Sequence, residues 1–160
     1  MRYEHLIEIN DPLFPLIDPL SRDEVWEGLV QRAYAPQRFV LGLERSAVEE
    51  LSCDGVTMVL VRKLDYGMFQ VNDIVTLRKG ESVTTDVAAS DGMAKSRLTI
   101  TIEEPAESRI YLRFLYEIDD SETEGGLDTM TLAIREQAYF ASDLDTVARI
   151  RELAEDRGIR

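Results

Sequence analysis

The chain has 160 residues, 44% hydrophobic and 31% charged, ordinary globular proportions that exclude wholesale disorder and low-complexity classes. Eighteen Lys and Arg against 31 Asp and Glu leave a formal charge of −13, and the positive residues are scattered rather than striped, which argues against nucleic acid and anionic lipid as partners. One cysteine cannot close an internal disulfide, and one histidine cannot supply a two-histidine metal site.

No linker-like Gly/Ser run divides the chain, so its length predicts a single domain over 1–160 with a core of its own. The first ten residues lack the unbroken apolar stretch of a signal peptide. The longest apolar runs, such as 56–61, fall far short of the ~20 residues a spanning helix needs. These features predict a cytoplasmic protein without membrane insertion.

Residues 3–9 alternate, with Tyr3, His5, Ile7 and Ile9 on one face, as in a half-buried strand. Pro12, Pro15 and Pro19 then forbid a continuous helix or central strand. Ser21-Arg22-Asp23-Glu24 is a capping-box pattern opening a helix that carries Val25, Trp26, Leu29 and Val30 and ends near Tyr34, before Ala35-Pro36. A second short helix is predicted over 36–41, closing at Gly42. Six strands follow, over 48–52, 56–64, 68–77, 82–89, 96–103 and 109–119, separated by turn signals such as Asp54-Gly55 and Asp91-Gly92. Connections this short favour antiparallel neighbours. After an acidic loop over 119–128, Met130, Ile134, Ala138, Ala141, Leu144, Ala148 and Leu153 form a helical apolar stripe, with Asp143, Asp145 and Arg149 away from it. A helix over 129–157 would be about 43 Å long and must lay its stripe on the sheet. The expected class is α+β: a seven-stranded curved antiparallel sheet wrapped around a long C-terminal helix, with two short helices after the first strand and room for a pocket between helix and sheet.

This order resembles the START-like (SRPBCC) superfamily. Tyr3-Glu4-His5-Leu6 with Ile9-Asn10-Asp11, and Leu20-Ser21-Arg22 through Val25-Trp26-Glu27-Gly28-Leu29, look like the amino-terminal signature of its AtaL-like subfamily. Thr99 to Pro105, Tyr111-Leu112-Arg113-Phe114 and Gln137-Ala138-Tyr139 continue the resemblance, which covers nearly the whole chain. It implies a helix-grip fold around a ligand cavity. It supplies no agreed catalytic residues, so none is carried over.

Candidate cavity residues come from the faces the alternation defines. His5 faces the helix with Tyr3, Ile7 and Ile9, either as a group able to move a proton near neutral pH or as a neutral core histidine held by a partner. Arg62 lies on the Met58–Leu60–Leu64 face, and Asp73 interrupts the face of Phe69, Val71, Val75 and Leu77. With His5 they form either a polar cluster inside the cavity or, if twist turns them outward, a weak surface pair. Tyr116 is an inward hydroxyl beside Phe114; Ile134 sits on the C-terminal stripe. Trp26, Tyr34 and Phe39 are packing residues or a pocket entrance. Cys53 has no basic neighbour to activate it, and the acidic residues 117–128 show no EF-hand spacing. No Gly-x-Ser-x-Gly, Walker loop or Gly-x-Gly-x-x-Gly occurs, so neither a cofactor nor a metal is expected. Three functions remain: binding a small hydrophobic molecule, a cyclase or aromatase acting on a polyketide or other secondary-metabolite intermediate, and a chaperone co-factor role. A homodimer is compatible with the chain but carries no motif.

Overall fold

The computed structural model describes residues 1–11, 13, 16–90, 92–119 and 128–157, and in it the alternating segments become seven antiparallel strands in one sheet. The elements are β1 (Arg2–Glu8), α1 (Arg22–Tyr34), a 3-10 turn (Pro36–Arg38), β2 (Arg45–Cys53), β3 (Thr57–Asp65), β4 (Gln70–Arg78), β5 (Ser82–Val87), β6 (Ser96–Ala106), β7 (Arg109–Ile118) and α2 (Thr129–Arg157). The sheet order is β1-β7-β6-β5-β4-β3-β2: successive hairpins run from β2 to β7, and β1 closes onto β7. Residues 120–127, most of the acidic loop, lie outside the described residues. Among the described residues no helix is long and apolar enough to cross a membrane.

Strand alternation sends Ile7, Leu60, Val75, Leu77, Val83, Ile100, Leu112 and Phe114 to one face, where they form a core with Val25, Leu29 and Ala33 of α1 and Ile150 and Ala154 of α2. The capping box forms at α1: Ser21 Oγ accepts from the Glu24 amide at 3.1 Å, and Glu24 Oε1 accepts from the Ser21 amide at 3.0 Å. The two helices meet at Gly28, where a Cβ would lie 2.6 Å from Cγ2 of Ile150, so only the missing side chain permits this approach. The expected second helix over 36–41 is reduced to the single turn Pro36–Arg38. Phe39 and Val40 both donate to the Pro36 carbonyl, and Gly42 follows at φ 86°.

One expectation is overturned. The apolar stripe of α2 does not face the sheet: Met130 is 74% exposed, Ile134 61% and Leu144 44%. The buried positions are Asp143, Thr146, Ile150 and Ala154, on a face about 140° round the helix from Ile134 and Leu144. The cause is the polarity of what α2 rests on. Asp143 is engaged by a strand hydroxyl, Thr146 Oγ1 donates back to the Ser142 carbonyl at 3.1 Å, and the Arg151 guanidinium reaches the carbonyls of Ile9 and Asp18 at 2.7 Å each. Hydrophobicity alone therefore chose the wrong face.

Candidate functional site

Arg62 on β3 and Asp73 on β4 are direct cross-strand partners. Arg62 Nε donates to Asp73 Oδ1 at 2.8 Å and Nη2 to Oδ2 at 2.6 Å, a fork-on-carboxylate pair. Nη1 donates to the Ala33 carbonyl at 3.0 Å, in the last turn of α1, where the helix dipole favours a cation. Both side chains are buried, so the alternative in which twist turns them to solvent does not hold.

A second polar group spans the first and last elements. The β1–β7 register sets Tyr3 opposite Tyr116 and His5 opposite Phe114. Above them α2 carries Asp143, 1% exposed, whose Oδ1 accepts from the Tyr116 hydroxyl at 2.5 Å. His5 Nε2 approaches Asp143 Oδ2 to 2.8 Å, but the contact lacks hydrogen-bond alignment, leaving both atoms and His5 Nδ1 enclosed without a bond. Aromatic rings wall the group: Tyr139 stacks on Tyr116 at 4.0 Å and 7°, Phe114 on His5 at 5.5 Å, and Phe140 meets His5 edge-on at 5.3 Å.

These surroundings displace the titrations. Burial raises the Asp143 carboxyl to about 7, although the Tyr116 hydrogen bond and the Arg32 charge pull the other way. Burial, then the Asp143 charge, holds the Tyr116 phenol well above its usual range. Burial lowers His5. At neutral pH the imidazole and phenol are thus uncharged, and Asp143 sits near its midpoint, where a general acid or base works best.

Beside the Arg62–Asp73 pair lies a half-open hollow of about 180 Å³, lined by Arg32, Arg62, Asp73, Thr85, Val87 and Leu98 among others. Thr85, Val87 and Leu98 also border an opening of about 400 Å³ lined by Tyr116, Tyr139 and Arg135. A larger depression, about 480 Å³, lies at the strand ends among Arg2, Asp86, Lys95, Arg97 and Glu117. It is the weaker candidate, because its walls are charged surface side chains and Arg97 and Asp86 already pair across it at 2.6 Å.

Of the residues singled out in the sequence, Arg62 and Asp73 border the hollow, Tyr116 borders its opening, and His5 lies behind Tyr116 against Asp143. Phe114 is fully buried in the core beneath His5. Trp26 is elsewhere, in a separate cleft of about 220 Å³ with Val30, Tyr34, Met58 and Leu77. Ile134 faces outward and lines neither space, because α2 turns the face of Asp143, Thr146 and Ile150 inward. Cys53 is exposed. Two residues escaped the sequence reading. Arg32 follows Gly28 and Leu29 at i+4 and i+3, so helical spacing alone would have turned it inward. Asp143 belongs to the series Tyr139, Asp143, Thr146, Ile150, whose regular spacing is masked by its mixed polarity.

Residues 7–157 match the family described as AtaL, acetylaranotin biosynthesis cluster protein L. The chain belongs to the AtaL family. No curated protein matches the sequence. Solved structures similar to it include the di-domain ARO/CYC StfQ from the steffimycin biosynthetic pathway, with TM-score 0.67 and 10% identity over 98% of this chain. This chain spans about half of StfQ, 51%. The Zhui aromatase/cyclase from Streptomyces sp. R1128 matches with TM-score 0.60 and 14% identity, covering 98% of this chain and 94% of that one. The Aha1 dimer from Colwellia psychrerythraea matches with TM-score 0.57 and 13% identity, covering 94% and 96%. At such identities the likeness is one of fold: this AtaL-family protein has the START-like helix-grip architecture.

Proposed function

We propose that this AtaL-family protein holds a small, flat, largely apolar organic molecule between its helices and its sheet. The observation that carries the reading is the half-open hollow bounded by Arg62, Asp73, Thr85 and Leu98 and continued toward Tyr116 and Tyr139. Apolar walls with a few fixed polar groups are what ligand sites are made of. Arg62 and Asp73 neutralise each other, and the Asp73 carboxylate keeps lone pairs that a ligand hydroxyl can use. Titration with N-phenyl-1-naphthylamine, a neutral fluorescent probe, tests the reading. Saturable one-to-one binding is expected, weakened at least tenfold by Leu98→Trp, which fills the wall shared by both spaces. Unsaturable fluorescence, or unchanged binding by a natively folded Leu98→Trp protein, refutes it.

A second reading, proton chemistry on the bound molecule of the kind named for the aromatase/cyclase neighbours, is favoured by one observation. Asp143 titrates near neutrality and touches the Tyr116 hydroxyl. A proton leaving the ligand would pass to the Tyr116 oxygen as the Tyr116 proton moves to ionised Asp143, leaving an enolate on the ligand and a neutral carboxyl behind. The exposed Met130, Ile134 and Leu144 support a separate proposal, that two copies pair along this face of α2.

A further inference from the structure

Arg32 differs from Arg62, the other arginine of the hollow. Arg62 has a carboxylate on its fork and a helix carbonyl on its remaining nitrogen. Arg32 lines the same hollow, yet among the described residues no ion pair holds it, and its enclosed Nε has no hydrogen-bond acceptor. The acidic groups whose charges reach it are Asp143 and Asp73, and both have other partners: Asp143 accepts from Tyr116 and Asp73 from Arg62. Burial is the largest influence on Arg32 and lowers its pKa. Tyr116, Asp143 and Asp73 oppose that shift, and Arg62 adds to it. Arg32 is half-buried with its Nε enclosed; a guanidinium stays protonated at any ordinary pH, and partly desolvating one without a counter-charge is unfavourable. An anion brought in from outside would relieve both the charge and the unsatisfied donor.

The geometry points to Arg32 as the anchor for an oxyanion of the ligand, so that the hollow takes a flat aromatic or enolic molecule bearing a carboxylate or enolate. The planar fork of the guanidinium suits two oxygens held side by side, and the apolar body would lie along Val87 and Leu98. This inference rests on the proposal that the hollow binds a small molecule. The net charge of −13 repels anions at long range, so a preference for an acid must arise inside the hollow, where salt screens little.

Calorimetric titrations with 2-naphthoate and its neutral counterpart 2-naphthamide test it, on wild type, Arg32→Gln and a surface control, Arg38→Gln. Wild type and Arg38→Gln are expected to bind the acid at least tenfold more tightly than the amide. Arg32→Gln should erase that preference while still binding the amide. Equal affinities in wild type, or a preference that survives Arg32→Gln, overturn the role of Arg32 while leaving a binding hollow intact. Binding of neither compound by wild type overturns both. Equal affinities in wild type overturn the role of Arg32 even if Arg32→Gln does not fold.

Discussion

Replacing Asp143 by Asn should change how stability depends on pH, in a direction and by an amount the structure sets. The carboxyl moves from 3.8 to about 7 on folding, chiefly through burial. Between those values the unfolded chain has released the proton and the native protein still holds it. Native protein therefore binds more protons, and stability falls as pH rises through the window, levelling off above about 7. Three units at ~1.4 kcal/mol each amount to about 4 kcal/mol. An amide cannot ionise, yet its Oδ1 can still accept from the Tyr116 hydroxyl, so Asp143→Asn should lack this decline. Urea unfolding of both proteins at pH 4 and pH 8 checks it. The variant should gain on wild type by up to about 4 kcal/mol between the two, about 2 M in midpoint for a slope of ~2 kcal/mol/M. His5 acts in the opposite sense, since burial lowers its folded pKa, so its contribution grows as pH rises toward 6.5. Being present in both proteins, it largely cancels in the difference. Parallel profiles for the two proteins would refute the account of Asp143.

Asp73→Leu should destabilise by roughly 3–5 kcal/mol, because it leaves Arg62 enclosed without its carboxylate, whereas the double change Arg62→Met/Asp73→Leu should recover most of the loss in thermal or urea unfolding. A single variant as stable as wild type would mean that the pair is not buried. Gly28→Ala should cost up to about 2 kcal/mol: the new Cβ crowds Ile150, a strain of ~1–3 kcal/mol offset by about 1 kcal/mol of helix propensity. Adding Ile150→Ala should abolish the loss from Gly28→Ala in a double-mutant cycle and turn it toward the helix-propensity gain; additive losses would exclude the contact. Sedimentation velocity should show a dimer that Ile134→Glu/Leu144→Glu converts to monomer without loss of folded circular dichroism, and a monomeric wild type would dispose of the α2 interface.

The architecture was legible because it is written in periodicity. Alternation at His5, Ile7 and Ile9, the capping box at Ser21 and the Gly-containing turns between strands are local signals, and the strands and the two α-helices formed within a few residues of their expected bounds. Arg62 and Asp73 could be suspected because each breaks an apolar face of its strand, and a break in a two-residue period is easily seen. Their pairing depends on the β3–β4 register, which the short Asp65-Tyr66-Gly67 connection constrains but does not state. The rotation of α2 was illegible for a physical reason. Apolar moment predicts the buried face only where the partner surface is apolar, and here the partner surface carries Tyr116, His5 and the carbonyls of Ile9 and Asp18.

The polarity of that surface also explains why α2 keeps its orientation against an evident alternative. Turning the helix by about 140° would bring Leu144 and Ile134 inward, and burying each would favour the turned state by ~1.5–3 kcal/mol. The same turn would break the bond between Tyr116 and Asp143 and both Arg151 bonds, each involving an ionisable or charged group and worth ~1.5–3 kcal/mol, and would lift Ile150 out of the notch at Gly28. The three lost bonds outweigh the two burials, about 4.5–9 against about 3–6 kcal/mol, and the contact of Ile150 with α1 widens the difference. Gly28 is the residue that makes this contact close enough to help fix the rotation. With the rotation fixed, Asp143 stays over Tyr116 and the apolar stripe of α2 stays outside, so the chemistry of the interior and the surface open to a second copy follow from the rotation of one helix.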